Sequence, residues 1–326
     1  MRHRITISVL GGLILALAGC QTGPRTTLLV DFPTDGPLKY KMTSQRKVEI
    51  RLTGDKPERD QSHTVNESLE LVMEYRAVES NPFGLSTIEG KCVSAKVQRD
   101  SLRGTQPAKN ADVAEALTGR TFRFTISPTG RIEDYSDLEK LVKEIGAKSF
   151  VEGVKAPTLV KDPDMLMDFI AIQWYLWDCA AAVKNPSGGV QIGKDWKAIQ
   201  LLPLPVPIPV ARETTYRLTE TPDPANPKKA VIASSYAISD KEIPHWPTPY
   251  EGKFNLKGSL FAVMRNYRFN TIEGSGTAVM NLDKGLLQSD QQQWKVGITA
   301  EFLLPLGNSL PQIIVDQKID IQRIGE

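Results

Sequence analysis

From residue 294 onward every second side chain is apolar: Trp294, Val296, Ile298, Ala300, Phe302 and Leu304 are separated by Lys295, Gly297, Thr299 and Glu301. Successive side chains of a strand point to opposite faces, so such a run lays one face on a core and leaves the other to water, as antiparallel sheets do. The same alternation recurs along the chain. Val48, Ile50 and Leu52 alternate with Lys47, Glu49 and Arg51, and Leu69, Leu71, Met73, Tyr75 and Ala77 alternate with Glu70, Glu74 and Arg76. Near the end, Ile313, Val315, Ile319 and Ile321 oppose Asp316, Lys318, Asp320 and Gln322. Further strands are predicted over about 87–98, 121–127, 131–135, 214–219, 230–239, 259–272 and 275–282, with a parity shift near Gly90 that reads as a bulge. A short helical turn is expected over 111–117, and Pro128-Thr129-Gly130 carries turn chemistry.

Two stretches break the strand rhythm with helical spacing. Ser136 and Glu139 form a capping-box pattern, and Leu138, Leu141, Val142 and Ile145 share one face before Gly146, predicting a helix over 136–146. Four such side chains, buried at about 1.5 to 3 kcal/mol each, suffice to fix a helix on a sheet. Asp162-Pro163 predicts the start of a longer helix reaching about Val183, rich in apolar residues and including Trp174, Tyr175 and Trp177. Asp168, Gln173 and Asp178 interrupt it, which argues against a membrane span. Prolines 203, 205, 207 and 209 alternate with Leu204, Val206, Ile208 and Val210, which suits an edge strand or a crossover on apolar surface; a proline-rich recognition segment is the sharper alternative, but interleaved aliphatics are more often buried.

The expected fold class is therefore mainly β (α+β), with two related antiparallel, curved sheets, half-barrel or sandwich-like, a capping-box helix and a longer linking helix. The relation between halves rests on two matches. Leu117-Thr118-Gly119, a strand and Gly130 parallel Ile272-Glu273-Gly274, a strand and Gly285, with the same eleven-residue step between the glycines. Upstream, Ile50-Arg51-Leu52-Thr53 parallels Tyr216-Arg217-Leu218-Thr219. The predicted organisation is a signal peptide over 1–19, a lipidated cysteine and tether over 20–36, an N-terminal β half over 37–155, a linking helix segment over 156–190 and a C-terminal β half over 191–326.

The location is predicted by the first twenty residues. Arg2, His3 and Arg4 precede an uncharged apolar run from Ile5 to Leu17, too short to cross a bilayer core comfortably, and Leu17-Ala18-Gly19-Cys20 resembles a bacterial lipobox. That resemblance implies cleavage before Cys20, a diacylglycerol thioether on its sulfur and an acyl chain such as palmitate on the new amino terminus. Several acyl chains anchor a protein stably. Gln21, where inner-membrane lipoproteins often carry Asp, favours the outer membrane, facing the periplasm, in a source that has one.

Removing residues 1–19 takes two arginines from 40 basic residues and leaves 38 against 38 acidic ones. A neutral chain has no electrostatic pull toward nucleic acid. Cys92 and Cys179 remain after Cys20 is acylated; an oxidising compartment permits a disulfide between them, whereas their strand and helix settings read as two separate small hydrophobes. His63 and His245 are the only histidines beyond the signal, no close-spaced Cys or His pair seeds a metal site, and no Gly-x-Ser-x-Gly elbow is present. Neither a metal, a cofactor nor a catalytic residue is predicted.

The lipobox, the 121–127 strand running into Pro-x-Gly, Gly193-Lys194-Asp195-Trp196, and Gly274-x-Gly276 ahead of Asp283-x-Gly285 together resemble a family of bacterial lipoproteins of unknown function. The resemblance implies a location and a β architecture, and carries over no activity. The expectation is a lipid-anchored, non-catalytic envelope protein that binds a lipid, a peptide or another envelope component, or alternatively a scaffold lipoprotein in protein–protein assembly. Trp174, Trp177, His245, Trp246 and Tyr250 are the candidate binding surface.

Overall fold

The computed structural model describes residues 25–32, 36–52, 61–100, 112–151, 158–159, 164–205, 209–219, 228–243, 246–249, 255–256, 264–302 and 310–325. Cys20, His245 and Tyr250 lie outside them. In chain order the elements are β1 (Arg25–Thr26), β2 (Leu38–Leu52), β3 (Gln61–Ser80), β4 (Ser86–Arg99), a 3-10 turn (Val113–Leu117), β5 (Thr121–Ile126), β6 (Ile132–Asp134), α1 (Ser136–Ala147), β7 (Phe150–Val151) and β8 (Thr158–Leu159). There follow α2 (Asp164–Ala181), a 3-10 turn (Pro186–Gly188), β9 (Val190–Gln191), β10 (Asp195–Leu202), β11 (Val210–Thr219), β12 (Lys229–Ser239), β13 (Asn255–Leu256), β14 (Met264–Asn281), β15 (Leu286–Phe302) and β16 (Gln312–Ile324).

The protein is mainly β. Eleven strands form one antiparallel sheet in the order β10-β11-β12-β14-β15-β16-β2-β3-β4-β5-β6. Strands β2–β6 form a meander in one half and β10, β11, β12, β14, β15 and β16 another, and the chain's last strand joins the two by pairing with β2, Val315 opposite Val48. The β7–β8 pair, extended by β13 running parallel to β8, forms a separate three-stranded patch. Burial alternates along β2, β15 and β16 as the sequence requires.

Helix α2 packs against the sheet. Its residues Met165 to Trp177 are buried on every side, and it touches β3, β15 and β10, which lie in both halves. A helix apolar all round belongs in a core, not on a surface. Helix α1 buries Leu138, Leu141, Val142 and Ile145 as predicted. Its capping box does not form: Tyr135 is the cap without a side-chain bond, Asp134 Oδ1 accepts from the Ser136 amide at 2.9 Å, and Glu139 pairs with Lys143 instead. Gly146 does not end α1 but lies inside it, where an added Cβ would collide with the Pro249 carbonyl oxygen, so the residue permits close approach of a loop.

Other expectations shift locally. The bulge falls at Val93, between Cys92 and Ser94, while Gly90 makes room for the Phe122 ring that lies against it. The two strands predicted over 259–282 are one, β14, which runs through Gly274-x-Gly276; a Cβ on Gly274 would meet the backbone of Gln293 and Trp294 on β15. The proline stretch connects β10 to β11, with residues 203–205 buried and 206–208 outside the described residues. Within the expected tether, Arg25 to Phe32 is not a spacer but a strap with Leu28, Val30 and Phe32 in the core. Its period-two burial outweighs the Gly, Pro and Thr content that suggested a linker.

Candidate functional site

The polar residues that interrupt α2 organise the interior. Asp168, Gln173 and Asp178 are five residues apart, and at about 100° per residue they leave the helix in three directions. Asp168 faces β2 and β16: its carboxylate lies 3.5 Å from Arg46 Nη1 and accepts from Gln317 Nε2 at 2.9 Å. Gln173 accepts from the Tyr75 hydroxyl on β3 at 2.6 Å. Asp178 accepts from Gln200 Nε2 on β10 at 2.7 Å. An otherwise greasy helix is thereby keyed to the sheet in one rotation and one register.

Two buried arginines, one in each half of the sheet, centre these contacts. Arg46 on β2 bonds Glu67 at 3.0 Å, Glu67 bonds Arg99 at 2.8 Å, and Arg99 approaches Asp112 at 3.3 Å, so with Asp168 the charges alternate in sign along a line from α2 outward. Arg212 on β11 is fully buried, and among the described residues no carboxylate is in direct contact with it. Its guanidinium carbon lies 4.3 to 4.5 Å from the ring centroids of Tyr175, Tyr236 and Trp294, which supply cation–π attraction in a desolvated setting. Arg212 Nε donates to Gln200 Oε1 at 2.9 Å and Nη2 to Gln292 Oε1 at 2.5 Å. The two amides relay to carboxylates: Gln200 to Asp178, and Gln292 Nε2 to Asp290 at 2.6 Å. Thr214 and Tyr216 complete the partners of Gln200.

Burial dominates the protonation of these groups. It pushes Asp178 up to about 7 and Asp290 up to about 6, against the opposing pull of their glutamine bonds and of Arg212. Burial likewise raises Tyr236 to about 12 and Tyr175 further. This arrangement holds charge in place, with each charged group named here in contact with another part of the fold, while among the described residues Arg212 Nη1 and Gln317 Oε1 are buried without a hydrogen-bond partner. Among the described residues, no three His, Cys, Asp or Glu side chains gather as a metal site.

The candidate binding aromatics are distributed differently from the expectation. Trp174 and Trp177 are core residues: Trp177 packs against Phe32 and Tyr75 at 5.3 and 6.1 Å, and Trp174 stacks on Trp246 at 4.9 Å with Tyr135 edge-on. Trp246 is half-buried on that stack, so the three tryptophans do not form an exposed face. Cys92 and Cys179 are separate buried thiols, Cys179 lying 3.5 Å from Met280 Sδ. On the outside of the sheet, a groove of about 410 Å³ crosses β16, β2, β3 and β4, lined by Lys47, Asn66, Asp100, Asp316 and Lys318 and backed by the Arg46–Glu67–Arg99 line.

No family model matches this chain, and no curated protein does. Among solved structures it is similar to DynF from the dynemicin biosynthesis pathway of Micromonospora chersina, at 5% identity over 93% of this chain and 89% of that one, with a TM-score of 0.20. It is also similar to OpdQ of Pseudomonas aeruginosa, at 8% identity over 90% and 99% of the two chains and a TM-score of 0.17. OpdO of the same organism gives 9% identity over 90% and 98%, with a TM-score of 0.14. Scores this low carry no argument about fold or function.

Sequence reasoning passed over Arg46, Arg212, Gln292 and Gln317, although a signal was present. Each falls on the inward parity of its strand, in step with Val48, Tyr216, Trp294 and Val315. A charged or amide side chain at a core position requires buried partners, and that requirement marks it out. The Ile50–Tyr216 match also places Arg46 and Arg212 at equivalent positions, 166 residues apart.

Proposed function

We propose that this chain is a lipid-anchored, non-catalytic protein of the bacterial envelope, held by acyl chains on Cys20, that presents its outer surface to another envelope component. The observation that carries this reading is the burial of α2 against both halves of the sheet, with its Asp168, Gln173 and Asp178 each bonded to a different strand. A helix keyed this way takes up volume in which a sheet could otherwise hold a ligand. The polar groove over β16, β2, β3 and β4 offers amide, carboxylate and ammonium groups suited to a peptide or protein segment. The lipobox and the resemblance to bacterial lipoproteins support the location, with Gln21 favouring an outer membrane facing the periplasm.

A lipid between sheet and helix is the second reading, favoured by the many apolar side chains that α2 buries: a sheet that released it would expose a largely apolar lining. One experiment addresses both. Wild-type and Cys20→Ala proteins are fractionated from a bacterial host and weighed by native mass spectrometry before and after solvent extraction. The expected outcome is wild-type protein in the membrane with acyl mass on Cys20, release of the variant to the soluble fraction, and no further extractable mass. A Cys20→Ala protein that stays in the membrane sinks the anchor; an extractable adduct on the variant moves the function to lipid binding.

A further inference from the structure

The strap gathers the turns at one end of the sheet. Its Val30 amide donates to the Pro128 carbonyl at 2.8 Å, in the β5–β6 turn, and its Asp31 amide donates to the Gly285 carbonyl at 3.1 Å, in the β14–β15 turn. β1 pairs with β9, Arg25 opposite Gln191, immediately before the 192–194 turn into β10. The β3–β4 hairpin tip closes the group: a Cβ on Gly84 would lie 2.9 Å from Pro128 Cγ. Both Gly130 and Gly285 take left-handed φ, at 88° and 58°, where a side chain would also strike the strap or its neighbours.

This end is unusually apolar on its outside. Phe83 is 87% exposed, and Leu29, Val78 and Ile192 are each 46% exposed; these are four of the seven large exposed hydrophobic residues among the described residues. Phe83 is held outward on a built tip, since Asn81 Oδ1 accepts from the Phe83 and Leu85 amides at 2.9 and 3.0 Å. Arg25, Lys194 and Lys284 are exposed on the strap and the adjoining turns. Exposed apolar residues clustered beside basic ones are the composition of an interfacial membrane contact.

The length of chain before the strap fixes which surface this end meets. Five residue steps separate Cys20 from Arg25, and an extended chain covers at most about 3.6 Å per residue, so Arg25 stays within roughly 18 Å of an acylated Cys20. We propose that this end of the molecule rests on the bilayer, with Phe83 entering the headgroup region, Leu29 and Ile192 beside it, and Arg25, Lys194 and Lys284 against lipid phosphates. The proposal rests on the lipid anchor at Cys20. The opposite end, where Leu310 precedes β16, then faces away from the membrane.

The test uses the full chain carrying Phe83→Cys, Lys284→Cys or Leu310→Cys, labelled with an environment-sensitive fluorophore while native Cys92 and Cys179 are buried, and reconstituted into vesicles of mixed zwitterionic and anionic phospholipid. Labels at 83 and 284 are expected to shift to the blue on reconstitution, the label at 83 being quenched by brominated acyl chains, and the label at 310 to remain as in water. The label at 284 reads the orientation independently of any weakening caused by replacing Phe83. Labels at 83 and 284 that stay as wet as 310, or a shielded 310, overturn the orientation although Cys20 carries lipid. An intact mass without lipid on Cys20 shows instead that the anchor has failed, and removes the reach argument with it.

Discussion

Arg212 sets the strictest demand of any residue in this fold, because a guanidinium cannot shed its charge and must find compensation where it is buried. Three aromatic faces and two glutamine carbonyls provide it. Replacing Arg212 with Ala leaves Gln200 and Gln292 short of a donor around a new cavity, and is expected to lower unfolding stability by about 3 to 5 kcal/mol in urea denaturation. Asp178 makes the opposite contribution. Its carboxyl is raised from 3.8 to about 7, so the folded state holds the proton more tightly than the unfolded chain, and the associated stability, full below about pH 4, is lost as pH rises toward 7. Asp290 adds to the same trend up to about 6. Asp178→Asn keeps the bond from Gln200 and is expected to flatten this fall, gaining up to a few kcal/mol over wild type at neutral pH, read from denaturation midpoints across the range.

Among the elements, the strap shows how far alternation alone reaches. Leu28 is 1% exposed and Leu29 is 46% exposed, although both are leucines one residue apart. Leu28→Ala is expected to cost about 2 to 5 kcal/mol, and Leu29→Ala less than about 0.5 kcal/mol, in the same denaturation assay. Equal losses would mean that the strap is not seated as described. Strands β2, β3, β15 and β16 were legible because one face of each is wet and the other dry; their true lengths were not, since long strands continue through polar residues once both neighbours hydrogen-bond them. Gly274 and Gly276 illustrate the limit. Local chemistry reads glycines as a break, and only the approach of Gln293, Trp294 and Tyr236 reveals them as places where a side chain would not fit. In α1 the buried stripe was legible, while the cap was decided by Asp134, two positions before the motif.

Over the whole molecule, two meanders become a single sheet because β16 returns to pair with β2. The two glycine turns that suggested related halves occupy the same end and hold the same strap, yet β3 and β4 lie between β2 and β5 whereas only β12 lies between β11 and β14 in the sheet. The likeness therefore does not run strand for strand. By itself the sequence determined the β class, the inward and outward faces of the strands, the two helices and the apolar character of α2, since each follows from local periodicity and turn chemistry. Tertiary structure alone decided that α2 would pack against both halves of the sheet, that Trp174 and Trp177 would be core, that Arg46 and Arg212 would find partners, and that Arg25 to Phe32 would bind the turns together. Those outcomes depend on contacts between residues far apart in the chain, which no local pattern encodes.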